Sequence, residues 1–184
     1  MGAGLGAGLA LAPLSKALGS ELMPRRVTRD AALATARRLS LHNLHTGDTF
    51  GEAYYENGAY VPAAMAEAQR VLRDWRNGEE HMMDPRLFDV LHSVSADLGT
   101  SQPFQIISGY RSPASNAAMH ARSAGVASNS QHMYGKAVDV RIQGVELTNL
   151  HKAALAQKAG GVGIYPVSNW VHIDTARVRT WTGV

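Results

Sequence analysis

The sequence predicts one α+β domain, an antiparallel sheet flanked by helices. Two observations carry this. Its 184 residues are 45% hydrophobic and 18% charged, a size and balance that bury one core without staples and exclude a disordered chain or a coiled coil. The hydrophobic period also changes along the chain, from a hairpin pattern through two helical stretches to alternating short strands and helices, and such segregated blocks suit α+β better than a doubly wound parallel sheet.

The elements follow in order from Arg38. Leu39, His42 and Leu44 lie in a β-like stretch, His45-Thr46-Gly47-Asp48 reads as a turn, and Thr49–Tyr55 as the returning strand, closed by Glu56-Asn57-Gly58. Pro62 suits the first turn of a helix on which Val61, Met65, Ala68, Leu72 and Trp75 form one stripe, ending at Asn77-Gly78. Asp84-Pro85 is a second helix start, with Leu87, Leu91, Val94 and Leu98 as its stripe and Gly99 as its end. Phe104–Ile107 is a short apolar strand, and Ser112-Pro113 opens a helix running to about Arg122. Val138 and Val140 alternate with Asp139 and Arg141 as in a half-buried strand. Leu147, Leu150, Ala154 and Leu155 mark a helix that stops at Gly160-Gly161. Val162–Tyr165 and Trp170–Thr175 read as the last two strands.

Residues 1–36 stand apart as a signal-like or disordered segment, with the folded domain at 37–184. Met1–Leu14 reads MGAGLGAGLALAPL, shorter than the roughly 20 residues that span a bilayer and close to the apolar core of a secretory signal. No Lys or Arg precedes Lys16, so the basic start of such a signal is missing. Ala17-Leu18-Gly19 and Ala34-Thr35-Ala36 are the two small-residue patterns where a signal would end. The expectation is export to the periplasm or cell envelope without a stable membrane span; a flexible tail is the other reading.

Cysteine is absent. That excludes disulfides, thiolate nucleophiles and every Cys-based zinc or iron–sulfur site, so any metal must be held by His, Asp or Glu. Eight histidines are available. A net charge of +3 permits an anionic partner but does not indicate nucleic-acid binding.

The informative text is Ser130-Gln131-His132-Met133-Tyr134-Gly135-Lys136-Ala137-Val138-Asp139, with Trp170-Val171-His172-Ile173-Asp174 after it. Gly135 permits a tight turn that lets a loop His132 and a strand Asp139 converge. His172 and Asp174 share a strand face, because side chains alternate. Two imidazoles and one carboxylate make a zinc site with one open position, which is what a hydrolytic metal requires. Spacing alone leaves a plainer reading standing, in which His132 caps a loop, Asp139 pairs with Lys136 or Arg141, and His172 packs in the core.

The pattern S-x-H-x-x-G-x-A-x-D followed by W-V-H-I-D resembles the D-Ala-D-Ala carboxypeptidase and murein endopeptidase family of zinc peptidases, which shares its metal site with the hedgehog domain. Leu39–Gly47, Ile107-Ser108-Gly109-Tyr110-Arg111-Ser112 and Gly160–Pro166 extend the likeness, which runs from about Arg38 to Trp181, towards the branch that cuts peptidoglycan cross-links in Gram-negative bacteria. The resemblance implies a hedgehog-like or DD-peptidase-like domain, one zinc ion on His132, Asp139 and His172, and peptidoglycan stem peptides as substrate. It leaves the oligomeric state open. It implies that Arg111 stands beside the metal to hold a substrate carboxylate or polarise the carbonyl; a surface ion pair is the alternative. Ser130 becomes a substrate or metal-side hydrogen-bonder, or a loop cap, and Trp170 a wall of the site. Many members carry an acid two or three positions before the last zinc histidine, where this chain has Asn169 and Trp170. Asp174 then serves either as the general base or as the group that orients His172. His120 reads as a solvated helix residue, and Trp75 and Trp181 as packing. Besides hydrolysis, the chain admits a second reading as a cell-wall peptide or protein binder that does not cut, and a third, cytoplasmic dipeptidase activity.

Overall fold

The structure is a computed structural model that describes residues 1–2, 36–123 and 125–183. The signal-like run from Ala3 onward, Ala17-Leu18-Gly19 and Ala34-Thr35 lie outside the described residues. The hairpin forms as expected from β1 (Arg37–Asn43) and β2 (Thr49–Glu56). The Asn43 carboxamide oxygen accepts from the His45 and Thr46 amides at 2.9 and 3.2 Å, an Asx turn that fixes the corner. Asn57 and Gly58 take φ of 52° and 83°, the left-handed pair that tight hairpin turns need, and lead into the short β3 (Ala59–Tyr60).

Helix α1 (Pro62–Val71) ends at Leu72 rather than at Asn77-Gly78. Asp74 is the reason: its backbone bonds Glu79 and Gly78, and its carboxylate accepts from the Arg76 and Ser112 amides, so the chain leaves the helix there. Trp75 is thereby turned away from the core stripe. Helix α2 (Pro85–Asp97) is capped as the sequence indicates, with Asp84 Oδ1 accepting from the Arg86 amide at 3.0 Å. Strand β4 (Phe104–Ser108) follows, then α3 (Pro113–His120), whose cap Ser112 accepts from the Ser115 amide, and a 3₁₀ turn at Gln131–Tyr134. The remainder is β5 (Ala137–Ile142), α4 (Leu147–Ala156), β6 (Gly161–Tyr165), β7 (Trp170–Asp174) and β8 (Arg179–Thr182).

The strands form one sheet in the order β3-β2-β1-β4-β5-β7-β6-β8. It is mostly antiparallel, as expected, but β1 with β4 and β6 with β8 are parallel. The first pair is joined by a crossover through α1 and α2, which is how parallel neighbours are reached. The second arises because β7 fills the place between β5 and β6, leaving the outer edge of β6 to the returning chain. The sequence reading ended the sheet at β7 and so missed β8, in which only alternate residues are half-buried and no run of apolar residues marks a strand.

Helices α1, α2 and α4 pack on one face of the sheet and enclose the core, with Phe88, Leu91, Ile106, Val140 and Ile173 at its centre. Burying each such side chain contributes about 1.5–3 kcal/mol. Strand β5 differs from the half-buried expectation. Asp139 is as buried as its apolar neighbours, because the 3₁₀ turn and the segment after β4 cover the second face.

Asp84 joins two distant parts of this frame, since the Thr175 hydroxyl donates to its Oδ2 at 2.7 Å just beyond β7. Burial opposes its charge, but the Arg86 and Thr175 hydrogen bonds outweigh that and hold its carboxyl below the usual range. Asp84→Ala should lower the unfolding free energy by about 1–2 kcal/mol at pH 7, the cost of a lost cap. A depressed folded pKa means that this contribution is complete above the ordinary carboxylate range and fades as pH falls through the folded value. Denaturant titrations of both proteins at neutral and acid pH check it: the gap should narrow in acid.

Candidate active site

Strand alternation sorts the residues of β5 and β7. Val138, Val140, Val171 and Ile173 enter the core, whereas Asp139, His172 and Asp174 take the opposite face. The register places Asp139 directly against His172. His132 arrives from the 3₁₀ turn. Its cap Gly135 has φ 63°, and a Cβ there would run into the Met82 carbonyl, so glycine is needed for both the turn and the close packing.

The three side chains converge. His172 Nδ1 lies 2.9 Å from Asp139 Oδ1, and His132 Nε2 lies 3.3 Å from Asp139 Oδ2. One ligand atom from each falls within 4.8 Å of the others, and all three residues are buried. Among the described residues no fourth His, Asp or Glu joins the cluster.

The far ring nitrogens are also tied. His132 Nδ1 is 2.7 Å from the Gly109 carbonyl, which can only accept, so Nδ1 carries the hydrogen and Nε2 turns a lone pair towards Asp139. His172 Nε2 donates to Asp174 Oδ2 at 3.0 Å, so Nδ1, which faces Asp139 Oδ1 at 2.9 Å, is the nitrogen that would give up its hydrogen and turn a lone pair inward to a cation. Two nitrogen lone pairs and a carboxylate aimed at one point fit a divalent transition metal, and the outer acceptors fix both tautomers as metal-bound histidines require. Burial pushes the His132 pKa down. Burial acts the same way on His172, but its hydrogen bonds to Asp139 and Asp174 outweigh it and raise the pKa. Asp139 is held well below the usual carboxylate range: burial opposes its charge, and the two imidazoles overcome burial.

Asp174 lies behind His172, 1% exposed. It accepts from the Gly161 and Ala176 amides at 2.8 and 2.9 Å and from both amino groups of Arg179 at 3.2 and 2.6 Å, besides His172. These donors outweigh burial and hold its pKa low.

The metal-binding atoms face a cleft of about 950 Å³, whose walls include Arg111, Ser130, Tyr165, Trp170 and Trp181. Arg111 is only 7% exposed. Its Nη1 donates to Asn116 Oδ1 at 3.2 Å, its Nη2 lies 3.9 Å from Asp139 Oδ2, and its backbone amide donates to the His132 carbonyl. Its Nε has no partner. Burial lowers the guanidinium pKa, with Asp139 opposing the shift. Ser130 starts the 3₁₀ turn without a side-chain cap bond, and Trp170 stacks on Tyr165 at 3.6 Å.

The site thus brings together His132, Asp139, His172, Arg111, Ser130 and Trp170 and sets Asp174 behind them. Trp75 and Trp181, read as packing, both line the cleft. His120 is exposed, with Nδ1 2.6 Å from the Val126 carbonyl. Sequence reasoning missed the Gly109 carbonyl, Asn116 and the β8 pair Arg179 and Trp181. Asn116 anchors Arg111 and donates to the Ala127 and Ser128 carbonyls. The glycines of β6 were the available signal for Trp181, because a Cβ at Gly163 would overlap its ring. β4 also bulges between Ile106 and Ser108, which swings Ser108 to the site face opposite Asp139.

Asp174→Asn should weaken metal binding about 10–100-fold, the usual cost of losing an outer carboxylate on a ligating histidine. Competition against a chromophoric chelator measures it. Unchanged affinity would separate Asp174 from the metal site.

Residues 31–181 match the family described as peptidoglycan L,D-endopeptidase MepK. The chain is 42% identical over 165 residues to the peptidoglycan L,D-endopeptidase MepK of Escherichia coli, covering 90% of this chain and 91% of that protein. The protein of that name from Shigella flexneri gives the same figures. The probable peptidoglycan L,D-endopeptidase MepK of Haemophilus influenzae is 38% identical over 169 residues, 91% of each chain. The matched span takes in all of the sheet but its last residue and every residue of the metal cluster, and the chain belongs to the peptidoglycan L,D-endopeptidase MepK family of peptidases.

Proposed function

We propose that the chain is an exported, zinc-dependent endopeptidase that hydrolyses the peptidoglycan cross-link between two diaminopimelate residues, an amide from an L-centred carbonyl to a D-centred amine. The observation that carries this reading is the convergence of His132 Nε2, Asp139 and His172 Nδ1 at the wall of an open cleft, with both far nitrogens already bonded. Two imidazoles and a carboxylate favour zinc over magnesium or calcium, which prefer all-oxygen shells. Zinc held there supplies Lewis acidity and makes water nucleophilic near neutral pH.

The chain's own residues do the rest. Arg111 is buried and anchored by Asn116, so its unpartnered Nε is a fixed donor for a substrate carboxylate or for charge developing on the scissile oxygen. Ser130 offers a hydroxyl from the cleft wall, and the stacked Trp170 and Tyr165 form a rigid apolar side. We assign Asp174 the orienting role rather than that of base, since its oxygens are engaged by Gly161, Ala176, Arg179 and His172. The apolar Met1–Leu14 run supports export of a 37–184 domain, and no helix among the described residues is long and apolar enough to cross a membrane.

A second reading, binding of wall peptides without cutting, is favoured by one observation: among the described residues Asp139 is the only carboxylate lining the cleft. His172→Ala separates the two, because wall binding that survives unchanged with any cellular effect intact would remove the metal from the function.

Purified protein should convert diaminopimelate-linked muropeptide dimers to monomers by mass spectrometry. Chelator should stop the reaction and zinc restore it. Arg111→Gln should lower kcat/KM about 10²–10³-fold, as for loss of one donor to a developing oxyanion. Dimers left intact by the zinc-loaded protein would overturn the hydrolytic reading.

A further inference from the structure

The loop after α1 builds a feature of the cleft that metal binding does not use. Trp75 stacks on His45 with ring centroids 3.9 Å apart and planes 12° from parallel, and His45 Nε2 is 3.1 Å from the Ile107 carbonyl. On the Trp75 ring lies the Arg76 guanidinium, its central carbon 4.4 Å from the centroid. All three side chains line the same cleft as Arg111. A guanidinium on an aromatic face keeps its edge donors free for a planar anion.

Those donors are nearly unused. The Arg76 side chain meets Asp74 Oδ1 through Nη1 at a long 3.4 Å, and that carboxylate also accepts from the Ser112 and Arg76 amides. Nε and Nη2 of Arg76 donate to nothing among the described residues. Of the other two cleft arginines, Arg179 is committed to Asp174, and Arg111, anchored by Asn116 beside Asp139, keeps only its Nε free, next to the metal cluster. Arg76 and Arg111 lie close enough for the charge of one to depress the pKa of the other. Arg76 thus has one long ion pair, to an Asp74 carboxylate already shared with two backbone amides, and Asp139 serves the metal cluster, so the free edge of Arg76 is open to an anionic ligand.

The proposed substrate has such a group. An amide between two diaminopimelate residues puts a free carboxylate on the residue that supplies the scissile carbonyl as well as on the one that supplies the nitrogen, whereas in a cross-link from D-alanine to diaminopimelate the carbonyl residue carries none and the nearest on that strand lies one residue further back. We propose that Arg76 is a second carboxylate-binding residue, which takes the distal carboxylate of diaminopimelate while Arg111 serves the reacting centre, and so selects one type of cross-link. This assignment rests on the L,D-endopeptidase reading above.

The test is binding to the zinc-loaded full chain, read by calorimetry, of a stem tripeptide ending in diaminopimelate and of its distal carboxamide. Wild type should bind the free acid about 10–100-fold more tightly than the carboxamide, the range of a charge-assisted hydrogen bond. Arg76→Gln should abolish the difference and Arg76→Lys keep part of it, both with wild-type zinc content and thermal midpoint. Equal binding of the two peptides by wild type overturns the assignment. So does an Arg76→Gln protein that retains the discrimination, or one that weakens both peptides alike as a merely structural role would. If the Arg76-dependent difference is present but wild type cuts no dimer, carboxylate recognition stands and hydrolysis is what fails.

Discussion

The pairing of β5 with β7 is the constraint on which the rest depends. Side chains alternate along a strand, so a slip of one residue would turn Asp139 and His172 towards the helices and Val138 and Ile173 towards the cleft. Apolar burial prevents the slip. Val138, Val140, Val171 and Ile173 all lie in the core with exposures of 1% or less, and moving them to the polar face would forfeit several kcal/mol. The hydrophobic face of the sheet thereby holds the metal-binding face in register, and the catalytic geometry is a by-product of packing on the other side.

A second requirement is that each imidazole present a lone pair rather than a hydrogen. The protein meets it twice with different chemistry. A backbone carbonyl, that of Gly109, fixes His132. A carboxylate with four further donors, Asp174, fixes His172. Gly109 is itself confined, because a Cβ there would collide with the Leu72 backbone, whose carbonyl accepts from the Tyr110 amide. The end of α1, the end of β4 and the metal cluster are therefore one packed unit.

Much of this was legible in the sequence. The hairpin, the Asp84 and Ser112 caps and the cluster of His132, Asp139 and His172 carry local signals, namely turn residues, proline at a first helical position, and a motif with Gly135 at its turn. What stayed hidden depends on contacts between distant segments. Trp75 continues the helical spacing of α1, and only the Asp74 turn, stabilised by Ser112 from another element, takes it into the cleft. β8 has no apolar run and exists because β6 offers a free edge. Asn116 looks like an ordinary helix residue, and its task is set by Arg111 and the 127–128 loop folding back on it.

Metal stoichiometry joined to coordination geometry tests the central claim most directly. Elemental analysis of the purified chain should give one equivalent of zinc, and X-ray absorption should report two imidazoles with the remaining donors oxygen. Protein that hydrolyses its substrate without stoichiometric metal, or a spectrum requiring a third imidazole, would contradict the account.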